Sequence, residues 1–165
     1  MSAGRYEGTL REIIHAFKYE GRRSLADPLS GMVRAAGSAM LQDCDCVVPV
    51  PLHPWRRMRR GFNQARDLAT HLDRPVVNAL WRVRATAPQM ALNANARQSN
   101  VRGAFVVSAF TCGARLASVR FPLLEDRVVV LVDDVRTTGA TLDECAKVLL
   151  VAGAREVKAL TVALA

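Results

Sequence analysis

The chain has 165 residues, half of them hydrophobic and only 5% aromatic, with a formal net charge of +8. That length suits one domain able to bury ~70% of its unfolded surface, so neither disulfide staples nor a metal is needed to complete a core. A core drawn mainly from Val, Leu, Ala and Ile favours an α/β fold over a β-sandwich, and the positive field excludes no anionic partner, whether metabolite, nucleic acid or acidic surface. Four cysteines, Cys44, Cys46, Cys112 and Cys145, are too few for a disulfide scaffold, and no apolar signal segment or membrane span is visible. Reduced thiols and a cytoplasmic location are expected. The C-x-C spacing at Cys44 and Cys46 has no second pair with which to complete a zinc site.

Residues 1–8 read as a loose lead-in. Thr9 and Glu12 frame a capping box, and Leu10, Ile13, Ile14 and Phe17 recur at helical spacing until Gly21. On this helix His15, Lys18 and Tyr19 could line a ligand or a solvated face, the second being the plainer role. Ser24 and Asp27 suggest a second helix start, continued by Leu25, Leu29, Met32, Val33, Ala36 and Met40. Residues 1–42 are therefore expected to form a helical flank or small hood. A short buried strand follows at 46–51, ending in Pro49 and Pro51, and its exit bends into a basic loop with four Arg among residues 56–60. Beyond a parallel strand, Pro51, Leu52 and Arg60 could hold a diphosphate in the crevice at the strand ends; an exposed basic loop is the bland alternative.

A helix from Asn63 to Leu72 turns Ala65, Leu68, Ala69 and Leu72 inward. Weak strand signals at 75–77 and around Leu80, Trp81 and Val83 precede residues 84–100, a polar, Ala- and Asn-rich stretch too long for a bland connection. A strand is expected at 104–107, and the run to Leu124 is ambiguous. Residues 128–142 carry the strongest chemistry. An aliphatic run of strand length meets Asp133 and Asp134, then Thr137-Thr138-Gly139-Ala140-Thr141, then a helical run that Gly153 ends. Gly139 lets an anion approach the backbone, and Thr137, Thr138 and Thr141 add hydroxyl donors to the amides of the turn. Ionised Asp133 and Asp134 only accept hydrogen bonds, so they suit hydroxyls or a hydrated cation. A phosphate beside vicinal hydroxyls describes a sugar phosphate. No Walker A lysine and no G-x-G-x-x-G fingerprint is present. Thr141 and Glu144 suggest another capping box, and a last strand, aliphatic enough to be internal, lies at 157–164.

Residues 128–142 resemble the 5-phosphoribosyl-diphosphate (PRPP) motif of type I phosphoribosyltransferases. The stretches Pro49 to His53, Arg60 to Gln64 and Phe17 to Gly21 narrow the resemblance to the ComF family of competence proteins, over most of the chain. ComF-like chains usually carry a cysteine-rich zinc-binding segment upstream of the part matched here. The resemblance implies an α/β fold with a doubly wound, mainly parallel sheet, as one phosphoribosyltransferase domain over residues 1–165. It implies that 137–141 hold the 5-phosphate, that Asp133 and Asp134 hold the ribose, and that 84–100 form a mobile lid. In that lid Gln89, Leu92, Arg97 and Asn100 match the family spacing, and Arg97 would offset charge on departing diphosphate. Mg²⁺ would sit mainly on diphosphate and ribose oxygens, with at most water-mediated help from the Asp pair, and no direct metal ligand is expected. The implied reaction transfers phosphoribosyl from PRPP to a nitrogenous base. Relatives acting on 6-oxopurines carry an Asp base where this chain has Thr137, which places hypoxanthine or guanine in doubt. Two rival readings are a non-catalytic module contacting nucleic acid in DNA uptake and a nucleotide-sensing regulator. A homodimer is a prior from the larger fold family.

Overall fold

The structure, a computed structural model, describes residues 1–84, 101–108 and 123–165. Strand β1 (Ser2–Arg5) leads into helix α1 (Gly8–Tyr19), a 3-10 turn at Arg23–Leu25, and helices α2 (Ala26–Ala36) and α3 (Ser38–Asp43). Strand β2 (Cys46–Pro49) is followed by α4 (Pro54–Arg60) and α5 (Gln64–Ala69), then by β3 (Leu80–Arg82) and β4 (Phe105–Val107). The chain closes with β5 (Val128–Arg136), α6 (Ala140–Val151) and β6 (Glu156–Leu164).

The main sheet has the order β1-β6-β5-β2, and all its pairings are parallel. A parallel bridge from Val47 to Val76 extends it past β2, while β3 and β4 form a separate antiparallel pair. The parallel α/β architecture expected from the aliphatic runs is present, with β5 and β6 both internal. From β2 the chain moves outward toward Val76, and from β5 it moves the other way to β6. The topological switch point, where α/β sheets open a crevice for ligands, therefore lies between β2 and β5.

Strand pleat assigns the two core layers. Val128, Val130 and Val132 of β5 pack with Ile14, Phe17, Leu29, Val33, Leu68 and Leu72 on one face. Val129 and Leu131 face the other way, toward Leu142, Cys145, Leu149, Leu80 and Phe105. Because side chains alternate along a strand, Asp134 continues the α1 and α2 side and Asp133 the α6 side.

Several local expectations are corrected. Residues 2–5 are not a loose lead-in but an edge strand, tied to β6 by the Met1 ammonium donating to the Ala159 carbonyl (2.7 Å) and by a Ser2 to Thr161 hydroxyl bond (2.7 Å). Helix α1 starts one residue before Thr9, and Glu7 at its N-cap makes no side-chain bond, so no capping box forms. The apolar stripe after Ser24 is broken at Gly37, which separates α2 from α3 and packs so closely on β6 that a Cβ there would run into the Leu160 side chain. The basic loop is helix α4, with Pro54 in its first turn, His53 Nδ1 accepting from the Trp55 amide, and Gly61 closing it at φ +79°. Glu144 completes no capping box; it accepts from the Gly103 amide at 2.6 Å and ties α6 to the approach to β4.

Cys44 and Cys46 are buried, and burial raises both thiols, that of Cys46 to about 11. The residue between them, Asp45, accepts from the Val128 amide (2.8 Å) and from Arg127 (3.0 Å), which clamps the start of β5. Among the described residues no helix is long and apolar enough to cross a membrane.

Candidate functional site

The site is built where β5 outlasts its neighbour. Strand β2 pairs only as far as Pro49 against Val132, whereas β5 runs on to Arg136 against Leu164 of β6. Pro51 cannot extend a ladder, so one edge of Asp133–Arg136 opens toward the 50–53 connection, with Val50 donating the last bond to the Val132 carbonyl at 2.9 Å. The acid pair thus stands inside a strand, at its unpaired end.

The two carboxylates have different surroundings. Asp133 Oδ1 accepts from the Asp134 amide (2.9 Å), and Asp134 Oδ1 accepts from the Val135 amide (2.6 Å). Lys18 Nζ of α1 also meets Asp134 Oδ1, at 2.8 Å, with both side chains largely buried. No hydrogen bond among the described residues engages Oδ2 of either acid. Burial raises the Asp133 carboxyl, and the charge of Asp134 raises it further, to about 7; the Asp134 amide, Lys18 and Arg82 pull the other way. Burial works against the charge of Lys18, but Asp134, aided by Asp133 and Tyr6, more than offsets it and holds the ammonium above its ordinary value.

Beyond Arg136 the chain turns through Thr137, Thr138 and Gly139 into α6. Gly139 is the helix N-cap at φ +85°, a left-handed backbone that β-carbons resist. The Thr138 hydroxyl lies 3.5 Å from the Ala140 amide, and the Asp143 amide makes the first helical bond to the Gly139 carbonyl at 2.9 Å. Gly139 and Ala140 are buried, Thr137 and Thr141 part-buried, and Thr138 exposed. A twelve-residue helix thus aims its N-terminal amides at the space beside the turn, an arrangement that attracts an anion. Arg136 Nε would stand 3.5 Å from a Cβ placed on Gly139, so a guanidinium flanks the turn.

Pro51 and Leu52 line the connection between β2 and α4, and a cleft of about 520 Å³ opens beside them, with Arg57, Arg66, Asn78 and Trp81 on its walls. That cleft contains neither the acid pair nor the 137–141 turn. Arg60 is engaged: its guanidinium stacks on Tyr19 at 4.8 Å and donates to Gln64 Oε1 at 3.1 Å. Arg97, with Gln89, Leu92 and Asn100 of the expected lid, lies outside the described residues.

Two side chains that act on the acid pair escaped the reading of the sequence. Lys18, assigned more readily to a solvated face, enters the site. Arg82 is buried in β3, its guanidinium 5.1 Å from the Phe105 ring. Burial, then the nearby Arg56, hold its guanidinium below the ordinary value, and its field reaches Asp133. The alternation of buried Leu80, exposed Trp81 and buried Arg82 was available as a strand signal, but nothing local told that an arginine takes an inward position.

The N-terminal and loop motifs that looked separate in sequence meet in space. Phe17 packs on Phe62 at 5.6 Å, Arg60 covers Tyr19, and Arg23 lies over Phe62 while paired with Asp67 at 2.7 Å. Asn63 caps α5 through the Ala65 amide and donates to the Val50 carbonyl, fastening the loop after β2.

Comparison with known proteins agrees with this construction. Residues 58–165 match the family model described as "Phosphoribosyl transferase domain". The chain is 36% identical to competence protein F of Haemophilus influenzae, over 94% of this chain and 68% of that protein. It is 36% identical to the DNA utilization protein YhgH of Escherichia coli, over 93% of this chain and 66% of that one. To competence protein ComFC of Bacillus subtilis it is 30% identical, over 90% of this chain and 56% of that one. The chain thus spans about two thirds of the length of the first two relatives. A family model matched over more than half of the sequence, together with a relative aligned along nearly all of it, leaves one assignment: the chain belongs to the type I phosphoribosyltransferases, on the branch of competence protein F.

Proposed function

We propose that the crest of β5 binds PRPP and that the protein transfers its phosphoribosyl group to a nitrogenous base. One observation carries this reading: two carboxylates whose Oδ2 atoms no hydrogen bond among the described residues engages stand immediately before a left-handed Gly139 turn that opens onto the N-terminus of α6. The turn would take the 5-phosphate and the carboxylates the ribose hydroxyls. The acidic donor set suits a cation that arrives with its ligand, because Lys18 already pairs with Asp134. Mg²⁺ bound to diphosphate and ribose oxygens would supply leaving-group charge stabilisation. The acid pair would touch it only through water.

In the transfer the bond from the anomeric carbon to the diphosphate oxygen breaks and the electron pair leaves with diphosphate. A bond from the acceptor nitrogen to the same carbon replaces it, and the acceptor loses a proton. Charge placement does most of this work. Two cations from elements outside β5 act on the acid pair, Lys18 on Asp134 and the buried Arg82 on Asp133.

A panel of bases incubated with PRPP and Mg²⁺ should give base-dependent diphosphate release, lost in Gly139→Val. If calorimetry detects PRPP binding and no base gives turnover, the nucleotide-sensing reading replaces the enzyme. If PRPP does not bind, the pocket assignment falls.

A second reading is favoured by α4. None of its seven residues is buried, and Trp55 and Met58 are 71% and 77% exposed among four arginines. Exposed aromatic and cationic side chains on one short helix suit the bases and phosphates of a single strand of nucleic acid. The Escherichia coli relative is called a DNA utilization protein. This contact is compatible with PRPP binding, since the surface and the crevice are different parts of the molecule.

A further inference from the structure

The acid pair, the turn and the anion-facing helix all come from residues 128–142. Lys18 comes from α1, far away in sequence, and yet meets Asp134 Oδ1 at 2.8 Å, with side-chain exposures of only 15% and 13%. The Val135 amide donates to that same oxygen at 2.6 Å. Two donors on one oxygen fix the plane of the carboxylate and leave the other oxygen for a ligand.

The lysine itself is held on both sides. Phe17 before it is fully buried against Phe62, and Tyr19 after it carries the Arg60 guanidinium. The backbone of α1 is thus seated on both sides of Lys18, which sets where its side chain starts toward Asp134. Folding alone does not account for such a pair, because a buried ion pair is seldom more stabilising than apolar side chains of the same volume. Nor does the other nearby buried cation duplicate it. Arg82 belongs to β3 and acts on Asp133, on the α6 side of the strand, where Cys145 also lies. Tyr6, in the connection from β1 to α1, adds to the field at Lys18 itself.

We propose that Lys18 is a positioning residue for the ribose subsite: it holds Asp134 as an oriented carboxylate, with Oδ2 turned toward a ligand hydroxyl. The role rests on the PRPP reading above and makes a distinction within it. The 5-phosphate is held by backbone amides and hydroxyls of 137–141, which Lys18 does not touch. Its removal should therefore weaken only those ligands that carry ribose hydroxyls.

The test is calorimetry on the whole chain with PRPP, ribose 5-phosphate and inorganic phosphate. Lys18→Met should weaken the first two by about tenfold or more, the usual scale for disturbing a hydrogen bond to a charged group, and leave inorganic phosphate unchanged. Lys18→Arg, which keeps the charge, should retain most of the affinity. Lys18→Gln keeps a donor without the charge and carries the same test should the Met variant fail to fold. Equal losses for all three ligands would mark Lys18 as structural, and wild-type affinity for PRPP in Lys18→Met would refute the role outright. A wild-type protein that binds neither sugar phosphate overturns the PRPP reading and this role with it, an outcome distinct from the other two.

Discussion

Asp133 carries a proton over a range in which most aspartates have lost theirs. Its carboxyl titrates at about 7 because burial and the adjacent Asp134 both disfavour its charge. In the unfolded chain it would titrate near ~3.9. Between these values the folded state holds the proton and the unfolded state does not, so this residue's stabilising contribution is complete below ~4 and is lost as pH rises through about 7. Replacing it by Asn removes the penalty. Asp133→Asn should match the wild type near pH 4 and exceed it above pH 7 by up to ~4 kcal/mol, read from urea unfolding at each pH. A constant difference across that range would contradict the assignment. The same titration bears on binding, because the ionised form is the better acceptor for a ribose hydroxyl, and sugar-phosphate affinity should climb as pH passes 7. That two acids precede a Thr- and Gly-rich turn was legible in sequence, since strand, acids and turn are contiguous. How far Asp133 shifts was not, because burial, its largest cause, is set by elements distant in sequence.

At the scale of elements, α1 links packing to the site. Phe17 is fully buried, and its ring meets Phe62 at the entry to α5. Phe17→Ala should cost about 3–5 kcal/mol in chemical denaturation, the range for deleting a buried aromatic ring. The same variant should also lose affinity for PRPP, although Phe17 touches no part of the crevice, because the lysine beside it loses its anchor. Unchanged binding in a destabilised but folded Phe17→Ala protein would mean that Lys18 finds Asp134 without the helix seated. Helix α1 could be read from its apolar spacing, and Lys18 falls on that same stripe, four residues after Ile14; its contact with β5 could not be read, because the spacing does not say which strand the stripe meets. Helix α4 failed for the opposite reason. It has no apolar stripe to read, and its only signals were Pro54 in the first turn and Gly61 just past the end, which also suit a loop. Strand β1 was missed because an edge strand of four residues is defined by its partner, here β6, rather than by its own composition.

For the molecule as a whole, the net charge of +8 is not an undirected field. Part of it stands beside the acid pair, on Lys18 and Arg82, while α4 carries a solvent-facing share, with Arg57 and Arg59 exposed on either side of Met58. These two roles separate by salt. An anionic polymer bound along α4 releases counterions, and for single strands each phosphate that the protein neutralises steepens the logarithmic salt slope by ~0.7. The double variant Arg57→Ala/Arg59→Ala should therefore bind a single-stranded oligonucleotide more weakly, with a slope shallower by about 1.4. Trp55→Ala removes a stacking face and no charge, so it should cost about 1–3 kcal/mol of affinity and leave the slope unchanged. Fluorescence anisotropy across a salt series reads both quantities, and calorimetry with PRPP provides the control, in which Trp55→Ala should not differ from the wild type. An unchanged slope in the double variant would move the polymer off α4. A parallel fall in PRPP binding by the double variant would instead mean that Arg57, which lines the cleft beside Pro51 and Leu52, reaches the diphosphate.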